Sequence, residues 1–266
     1  MRAVEKVNGH LMIQDDTIDG LKFLEEQLIE VDYILTSPPY NAFRSDFYMG
    51  SDKINDSKSN EEHRAWIVEQ FKLYDKVLKK EGVIIYNMNY MSRLENTTSN
   101  LYRTMIAIED NTPFILIDVI CWKKRNGTPS REARLSRTWE HVFIFIRKDE
   151  WKDFHGNYKD ILVGKPNFIE APNNDFVNDI NKACFSSSMV EQLLRLYNAN
   201  KDSIVLDNFM GTGTTAIGCE KIGCKSIGIE LDTKTYKFSK ERIREFVGDF
   251  EAMEEDYNMF NFDKHE

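Results

Sequence analysis

The chain has 266 residues and a formal net charge of −9 at pH 7, and 41% of its residues are hydrophobic. This size and composition suit a globular protein with one large α/β domain, or one domain with an insert. No stretch approaches 18 unbroken apolar residues, and residues 1–6 lack the apolar core of a secretion signal. The sequence therefore argues against membrane and secreted proteins, and we expect a cytoplasmic protein with no membrane partner.

The negative charge argues at first sight against a nucleic-acid-binding protein, but it is unevenly distributed. Residues 241–266 contain nine acidic residues and three Lys or Arg, whereas residues 122–138 contain six Lys or Arg and one Glu. A local basic segment matters more for phosphate binding than the total charge does. The charge pattern therefore leaves a nucleic-acid partner open.

The four cysteines are Cys121, Cys184, Cys219 and Cys224. They lack the spacing of metal ligands, and three of them stand in apolar or helical surroundings. We therefore expect reduced thiols, as in cytosolic proteins, and no metal site.

The first predicted elements are a strand at residues 10–14 and a helix at residues 17–28, whose apolar residues recur at helical spacing. Asp15 and Asp16 stand at the junction between them. Either acid can cap the helix, because a carboxylate accepts hydrogen bonds from the free N–H groups of the first turn.

A buried strand is predicted at residues 31–35, followed by Thr-Ser-Pro-Pro-Tyr at residues 36–40. The two prolines end the strand because neither has an N–H group for the ladder. The chain therefore leaves the carboxyl end of the strand in a stiff shape, at the place where open α/β sheets bind ligands. The Ser37 hydroxyl and the Pro38 carbonyl can both accept from one amino group, and the Tyr40 ring can stack on a flat base. The alternative is a proline-stiffened loop with no further role.

The middle of the chain alternates between predicted helices and strands. Apolar patterns predict helices at residues 61–80 and 94–109, and strands at residues 82–89, 114–122 and 141–146. The strands are nearly continuous apolar runs, as in sheets that are covered on both faces.

A basic segment joins the last two of these strands. Its six cations are Lys123, Lys124, Arg125, Arg131, Arg134 and Arg137. Lysine and arginine can neutralise the phosphates of a nucleic-acid backbone. We predict contact with a DNA backbone here, with a solvated surface loop as the alternative.

The segment at residues 151–182 is polar, and its aromatic residues have no period. An apolar face predicts a helix at residues 184–200, and the last regular helix is predicted at residues 233–247. Residues 248–266 are expected to form an acidic tail.

A second motif occupies residues 203–215, where a buried strand leads into a Gly-x-Gly turn and the start of a helix. Gly211 and Gly213 allow the backbone to approach a ligand closely, and the helix N-terminus offers free N–H groups. A further strand at residues 225–230 ends in Glu230, and an acid about 20 residues after such a turn commonly binds ribose hydroxyls.

The ligand of this turn is better matched by a nucleoside without a phosphate than by a dinucleotide. No third glycine completes the dinucleotide pattern, and Asp207 at the strand end would repel a phosphate. S-adenosylmethionine carries no phosphate, and its sulfonium is a cation. The motif therefore fits a nucleoside ligand such as S-adenosylmethionine.

With both motifs in view, the chain resembles the amino-methyltransferases of DNA, in the permuted motif order called the beta class. Ser-Pro-Pro-Tyr at residues 37–40 resembles the catalytic motif of that family. Residues 207–215 resemble its cofactor motif, with Asn208 where the family usually has Pro. The catalytic motif precedes the cofactor motif, which is the permutation.

The resemblance implies an α/β fold: a seven-stranded, mainly parallel, Rossmann-like sheet with helices on both faces. Residues 141–147 would be its antiparallel edge strand. Residues 1–147 would form the catalytic half, and residues 183–247 the cofactor-binding half of the same domain. Residues 148–182 would be a short target-recognition segment, followed at the chain end by the acidic tail of residues 248–266.

The resemblance also implies roles for single residues. The catalytic residues would be Ser37, Pro38, Pro39 and Tyr40. The residues around the cofactor would be Asp16, Thr36, Phe185, Ser186, Asp207, Phe209, Met210, Gly211, Gly213, Thr214, Thr215 and Glu230. Asp16 would reach the adenine amino group, which is the alternative to its capping role. Glu140 and His141 stand in the reverse of the family's order, so no role is assigned to His141.

The reaction implied is direct methyl transfer from S-adenosylmethionine to the exocyclic amino group of a base flipped out of double-stranded DNA. Ser-Pro-Pro-Tyr favours N4 of cytosine, and N6 of adenine is the alternative. A nucleoside-binding regulatory protein without catalysis is a more distant alternative, against which the intact motif speaks. A cognate restriction endonuclease and a homodimer are partners that the resemblance leaves open.

Overall fold

The structure is a computed structural model, and it describes residues 2–40, 58–89, 98–125, 135–136, 138–175 and 184–247. Its strands are β1 (Ala3–Val7), β2 (His10–Gln14), β3 (Val31–Thr36), β4 (Leu78–Met88), β5 (Phe114–Lys124), β6 (Trp139–Arg147), β7 (Phe168–Ala171), β8 (Ile204–Asp207) and β9 (Lys225–Glu230). Its helices are α1 (Thr17–Glu26), α2 (Asn60–Val77), α3 (Thr98–Asn111), α4 (Trp151–Leu162), α5 (Ser187–Leu196), α6 (Thr214–Glu220) and α7 (Thr233–Val247). Across these ranges, no helix has the length and apolar character needed to cross a membrane.

The nine strands form one sheet in the order β1-β2-β9-β8-β3-β4-β6-β5-β7. Strands β1 and β6 run antiparallel to their neighbours, and the other seven share one direction. The expected α/β class, mainly parallel and with helices between the strands, is confirmed.

The expected number of seven strands is wrong, because β1 and β7 add two edge strands. Strand β1 alternates exposed and half-buried residues and carries charges, so it has no apolar run to mark it. Strand β7 has four residues and lies in the polar segment that also forms α4. Edge strands pair on one side only, so they need less apolar sequence than central strands.

The expected direction of residues 141–147 is confirmed, but their expected position at the sheet edge is wrong. Strand β6 lies between β4 and β5 and pairs with both. Residues 141–146 are all buried, as in a strand covered on both faces. The two edges of the described sheet are β1 and β7.

Successive residues of the central strands enter two separate hydrophobic clusters, as the two-residue period of a strand requires. On β4, Ile84 and Tyr86 pack in the cluster that contains α1, α2 and α3. Val83 and Ile85 pack on the opposite face with residues of α4 and α5. Helices therefore cover both faces of the sheet.

The helix boundaries differ from the predicted ones where local hydrogen bonds decide them. Helix α2 begins at a capping box, in which Ser59 and Glu62 bond to each other's backbone N–H groups. It ends at Val77 rather than residue 80, because Leu78 takes an extended conformation and starts β4. Helix α5 is shorter than predicted because Ser186 caps it.

The carboxyl ends of β2, β9, β8, β3 and β4 meet at one edge of the sheet, since these strands are parallel neighbours. Strand β6 runs the other way, so its first residues reach the same edge. Residues 36–40, the glycine turn and Glu230 all follow or end these strands, and this edge is therefore the candidate site.

Candidate active site

Thr36 and Asp207 join the two predicted motifs directly. Thr36 ends β3, is fully buried, and donates its hydroxyl to Asp207 Oδ1 at 2.7 Å. Asp207 ends β8 and also accepts from the Thr215 hydroxyl at 2.5 Å and from the Phe209 N–H at 3.1 Å. Burial raises the pKa of this carboxyl, and the three donors act in the opposite direction. Asp207 therefore holds the start of the glycine turn against the base of the loop at residues 36–40.

Glu230 closes the other side of the glycine turn. Its two carboxylate oxygens accept from the N–H groups of Gly211 at 2.9 Å and Asp232 at 2.8 Å. Burial raises the pKa of Glu230 to about 7. Each oxygen has a second lone pair for a further donor, so this carboxylate can hold a ligand with hydroxyl groups.

The glycine turn needs glycine for its backbone conformation. Gly211 has φ 52° and Gly213 has φ 79°, in the left-handed region. A Cβ at Gly228, on the strand beneath, would lie 2.2 Å from Met210 Sδ. Met210 is therefore packed tightly against β9, and the turn has little room to shift.

Arg242 supports the same turn from the outside, and the sequence analysis missed it. Its guanidinium donates to the carbonyl and hydroxyl of Thr212 and to the Thr214 hydroxyl, at 3.0 to 3.1 Å. Its other end pairs with Asp175 Oδ2 at 2.7 Å. Nothing in the pattern of the last helix marks this arginine, because its partners are 28 or more residues away.

Asp16, Phe185 and Ser186 take structural positions near the site. The Asp16 side chain caps α1 by accepting from the Ile18 N–H at 2.9 Å, which confirms the capping interpretation. Ser186 is fully buried and caps α5, and Phe185 is buried in the second hydrophobic cluster. A contact of these residues with a cofactor stays a prediction.

The side chains of the Ser-Pro-Pro-Tyr loop belong to a hydrogen-bond network. Ser37 Oγ and Tyr40 OH are 3.1 Å apart, and both lie within hydrogen-bond distance of Asn87 Oδ1, at 3.2 and 2.9 Å. Tyr40 OH also donates to Glu140 Oε2 at 3.0 Å. The loop is therefore tied to the ends of β4 and β6 as well as to β3.

His63 fixes the backbone of this loop from below. It is 2% exposed, and its Nε2 lies 3.0 Å from the Pro39 carbonyl oxygen. Burial lowers the pKa of His63, so the ring is neutral at pH 7 and donates through Nε2–H. Trp66, one turn further along α2, packs edge-on against Phe209 at 5.5 Å between ring centroids. Helix α2 therefore touches both motif loops.

Asn208, which replaces the usual proline, belongs to a buried polar network. Its amide nitrogen donates to Thr17 Oγ1 at 2.6 Å and to Gln70 Oε1 at 3.2 Å, and its oxygen accepts from Tyr74 OH at 2.8 Å. A proline could make none of these bonds. The network links the cofactor motif to α1 and α2.

The basic segment is divided in the structure. Lys123 and Arg125 are exposed and share Glu170 of β7 as a partner, at 3.1 and 3.5 Å. Lys124 is only 16% exposed and pairs with Glu140 at 2.5 Å. The predictions for Arg131, Arg134 and Arg137 concern positions outside the described residues.

Five residues of the site were not predicted: Asn87, Glu140, His63, Asn208 and Arg242. Asn87 and Asn208 are polar residues at the ends of apolar strands, and that position was the available signal. His63 and Glu140 carried no signal, since they approach the loop only in the folded chain. Within the part of the chain that the structure describes, no group of three His, Cys, Asp or Glu could hold a metal ion.

Comparisons with known proteins agree on one family. The family model described as DNA methylase matches residues 31–241. The type II methyltransferase M.MwoI of Methanothermobacter wolfeii is 30% identical over 242 residues, covering 87% of this chain. The chain spans about a third of the length of M.MwoI, of which 34% is covered.

Two solved structures share the fold. The PvuII DNA methyltransferase, titled cytosine-N4-specific, matches with a TM-score of 0.67 at 20% identity, over 92% of this chain and 95% of that one. M1.HpyAVI, solved as a complex with SAM, matches with a TM-score of 0.62 at 21% identity, over 87% of this chain and 98% of that one.

Proposed function

Because this chain belongs to the DNA methylase family, we propose that it transfers a methyl group from S-adenosylmethionine to the exocyclic amino nitrogen of a base in double-stranded DNA. N4 of cytosine is the preferred target. The observation that carries the proposal is the hydrogen bond between Thr36 and Asp207. It joins the loop that suits an amino group to the turn that suits a nucleoside.

The residues around the glycine turn fit S-adenosylmethionine. Glu230 offers a buried carboxylate to ribose hydroxyls, and Phe209 offers an aromatic face beside Trp66. The proposed contacts are Asp16, Thr36, Phe185, Ser186, Asp207, Phe209, Met210, Gly211, Gly213, Thr214, Thr215 and Glu230. The cofactor supplies a methyl group activated by a sulfonium, and the protein has only to bind it, orient it and exclude water. M1.HpyAVI, which shares the fold, was solved with this cofactor.

The Ser37–Tyr40 loop would hold the flipped base. Tyr40 stacks on the base, while the Ser37 hydroxyl and the Pro38 carbonyl accept the two amino hydrogens and direct the nitrogen lone pair toward the methyl group. An aromatic amine is a weak nucleophile because its lone pair is delocalised into the ring. Orientation and hydrogen bonding therefore supply most of the rate. The bond that His63 donates to the Pro39 carbonyl and the bonds that Asn87 Oδ1 accepts from Ser37 and Tyr40 support a loop held ready for this task.

The preference for cytosine rests on Ser37, the first residue of the catalytic motif. The family more often pairs serine at this position with cytosine, and aspartate with adenine. The PvuII enzyme, which shares the fold, has a title that calls it cytosine-N4-specific. N6 of adenine is the second candidate. The hydrogen-bond network around Tyr40 speaks against a nucleoside-binding protein without catalysis, because such a protein does not need to orient a target base.

The division of the chain and its partners belong to the same proposal. Residues 1–147 and 183–247 are the two halves of the methyltransferase domain, and residues 148–182 take part in target recognition. Lys123 and Arg125 contact the DNA backbone. A cognate restriction endonuclease and a homodimer are the protein partners to test, and a reaction on DNA fits a cytoplasmic location. The acidic tail, residues 248–266, lies outside the described residues.

The test is a methyl-transfer assay with purified protein, labelled S-adenosylmethionine and unmethylated genomic DNA. The DNA is then digested to nucleosides, and N4-methylcytosine and N6-methyladenine are separated by mass spectrometry. We expect N4-methylcytosine. N6-methyladenine alone would leave the reaction class standing and overturn the target. Tight cofactor binding with no methylated nucleoside would favour the non-catalytic protein.

A further inference from the structure

A chain of hydrogen bonds leads from the catalytic loop to a carboxylate on β6. Ser37 Oγ lies 3.1 Å from Tyr40 OH, and Tyr40 OH lies 3.0 Å from Glu140 Oε2. Ser37 and Tyr40 belong to the loop after β3, and Glu140 is the second residue of β6, 100 residues after Tyr40 in the sequence. The chain connects the hydroxyl that faces the target amine with a fixed negative charge.

Glu140 lies at the accepting end of this hydrogen-bond chain and so limits the direction in which the hydroxyls donate. An ionised carboxylate can only accept, and Glu140 accepts from Tyr40 OH, from Asn87 Nδ2 at 3.3 Å and from Lys124 Nζ. The single Tyr40 proton points either to Glu140 Oε2 at 3.0 Å or to Asn87 Oδ1 at 2.9 Å, and both oxygens only accept. In both cases the Tyr40 oxygen is left to accept from Ser37. The Ser37 proton points inward, and the lone pairs of Ser37 Oγ are left to accept from the amino group of a base.

Asn87 imposes the same direction on the Ser37 hydroxyl. Its amide nitrogen donates to the His141 carbonyl at 3.0 Å and to Glu140, so its oxygen must face the two hydroxyls. Whether Ser37 donates to Tyr40 or to Asn87 Oδ1, its proton points away from the loop surface. Both partners therefore prepare Ser37 as an acceptor.

The proposed reaction leaves a proton to be removed. The amino nitrogen forms its bond to the methyl carbon, and the electron pair of the broken S–CH3 bond stays on sulfur. The nitrogen then carries a positive charge and must lose one hydrogen. A serine cannot keep that proton, because a protonated hydroxyl is a strong acid.

We propose that Glu140 receives this proton through Tyr40 and Ser37, which rests on the proposed function of the loop. The amine proton moves to Ser37 Oγ, the Ser37 proton moves to Tyr40 OH, and the Tyr40 proton moves to Glu140 Oε2. One N–H bond breaks, one carboxyl O–H bond forms, and the two hydroxyls are regenerated. Glu140 is 13% exposed, so it returns the proton to water after product release.

The ion pair with Lys124 is compatible with this role. Lys124 Nζ lies 2.5 Å from Glu140 Oε1, which leaves Oε2 facing Tyr40. The methylated, positively charged amine is a strong acid, because loss of its proton restores the lone pair to the aromatic ring. A carboxylate is therefore a sufficient acceptor for this proton, and Lys124 positions it.

The test compares Glu140→Gln and Tyr40→Phe with the wild type and with a matched control, Glu5→Gln. Glu5 also pairs with a lysine, Lys240 at 3.0 Å, and accepts from a tyrosine, Tyr236 at 3.4 Å, at the far edge of the sheet. In Glu140→Gln, the amide oxygen accepts from Lys124, so the NH2 group faces Tyr40. That group donates to the Tyr40 oxygen, which reverses the direction of the hydrogen-bond chain. Tyr40→Phe keeps the stacking ring and removes the hydroxyl.

The measurement is the single-turnover rate of methyl transfer at saturating cofactor and DNA, with the binding constants of both determined separately. Positioned proton transfer contributes about 10²–10⁴-fold to a rate, so we expect each variant to lose about a hundredfold or more. The double variant should lose no more than either single one, because both interrupt one chain. Glu140→Asp should recover part of the rate, and Glu5→Gln should match the wild type. Binding constants should change less than threefold.

Wild-type rates in both Glu140→Gln and Tyr40→Phe would overturn the relay while leaving the methyltransferase function intact. A slow Glu140→Gln with a fast Tyr40→Phe would overturn the route through Tyr40, and so the proposal as stated. A wild-type protein that methylates no DNA would overturn the proposed function and this inference with it. Thermal melting identifies a misfolded Glu140→Gln protein, in which case Tyr40→Phe decides alone.

Discussion

At the scale of single residues, the site depends on carboxylates that are already bound by protein donors. Asp207 and Glu230 are buried, and each accepts backbone or hydroxyl hydrogen bonds that fix its orientation. Desolvation makes the charged form of such groups costly. Their protonation state should therefore change with pH, and this change can be measured through cofactor binding and stability.

Glu230 should make cofactor binding depend on pH. Its pKa is about 7 in the folded protein, against an ordinary value of 4.5, because it is buried. Ribose hydroxyls donate to the ionised form, so affinity should be constant above pH 7. Below pH 7 it should fall by up to about tenfold per pH unit. Titration calorimetry from pH 5.5 to 8.5 measures this, with Glu230→Gln as the variant in which the slope should vanish.

The same group affects the stability of the free protein in the opposite direction. A carboxyl whose pKa is raised by folding stabilises the fold below its unfolded pKa, and this contribution is lost as pH rises through 7. Denaturant unfolding should therefore show the wild type losing stability between pH 4.5 and 7 relative to Glu230→Gln. Equal pH profiles for the two proteins would contradict the raised pKa.

Ser37 should separate catalysis from cofactor binding. Ser37→Ala removes the acceptor aimed at the target amine but leaves the glycine turn unchanged, so cofactor affinity should stay near normal while most methyl transfer is lost. Ser37→Asp keeps an acceptor and adds charge, and transfer to adenine should appear if this residue helps to choose the base. Methylation is measured on paired duplexes that offer only cytosine or only adenine. A wild-type rate in Ser37→Ala would refute the role given to the loop.

At the scale of elements, the glycine turn and α2 bring the two motifs together. Helix α2 supplies His63 to the catalytic loop, and Trp66 and Tyr74 to the cofactor motif. A helix with three such contacts positions both loops at once. We therefore expect a change in the glycine turn to affect cofactor binding, and a change in the buried network beneath it to affect the stability of the fold.

Gly211→Val should abolish cofactor binding, because its φ of 52° and its place beside Glu230 leave no position for a branched side chain. Gly164 is a matched control. It also has a positive φ, of 79°, and a Cβ there would meet nothing within 4 Å. Gly164→Val should lose stability from backbone strain but bind the cofactor normally in calorimetry. Equal loss of binding in both would point to general unfolding.

Asn208→Ala should destabilise the protein by about 1–3 kcal/mol, because Tyr74, Gln70 and Thr17 would lose a buried partner. Asn111→Ala removes an exposed bond to the Ala107 carbonyl and should cost far less. Urea unfolding of the two variants gives the comparison. A change in Asn208→Ala no larger than in the control would mean that the network is dispensable.

At the scale of the whole molecule, the net charge of −9 makes DNA binding depend on where the cations face. Lys123 on β5 and Arg125 just after it are exposed and pair with Glu170, whereas Lys124 pairs with Glu140 at the site. Adjacent residues of a strand face opposite ways. We therefore expect the exposed cations and Lys124 to have different roles.

Neutralising Lys123 and Arg125 together should weaken binding about equally on target and non-target DNA. It should also reduce the salt dependence, since each lost phosphate contact lowers the slope by about one. Lys124→Met should instead slow methyl transfer with little change in salt slope, because its partner is Glu140. Fluorescence anisotropy across a salt series separates the two. A large drop in the salt-dependence slope for Lys124→Met would instead indicate that Lys124 contacts the DNA backbone.

The sequence by itself determined the features that depend on neighbours along the chain. Buried strands showed as apolar runs, and the two motifs showed as short segments because a turn needs its prolines or glycines in place. The edge strands β1 and β7 were not predicted, because strands this short and polar form only when a sheet edge is there to pair with.

The tertiary structure decided what distant residues do. Glu140 and Asn87 reach Tyr40 from 100 and 47 residues away, and their position depends on the antiparallel register of β6 on β4. The pairing of β6 with both β4 and β5 placed residues 141–147 inside the sheet and brought Lys124 beside Glu140. No local pattern encodes such contacts, because they arise only when strands remote in sequence pair side by side.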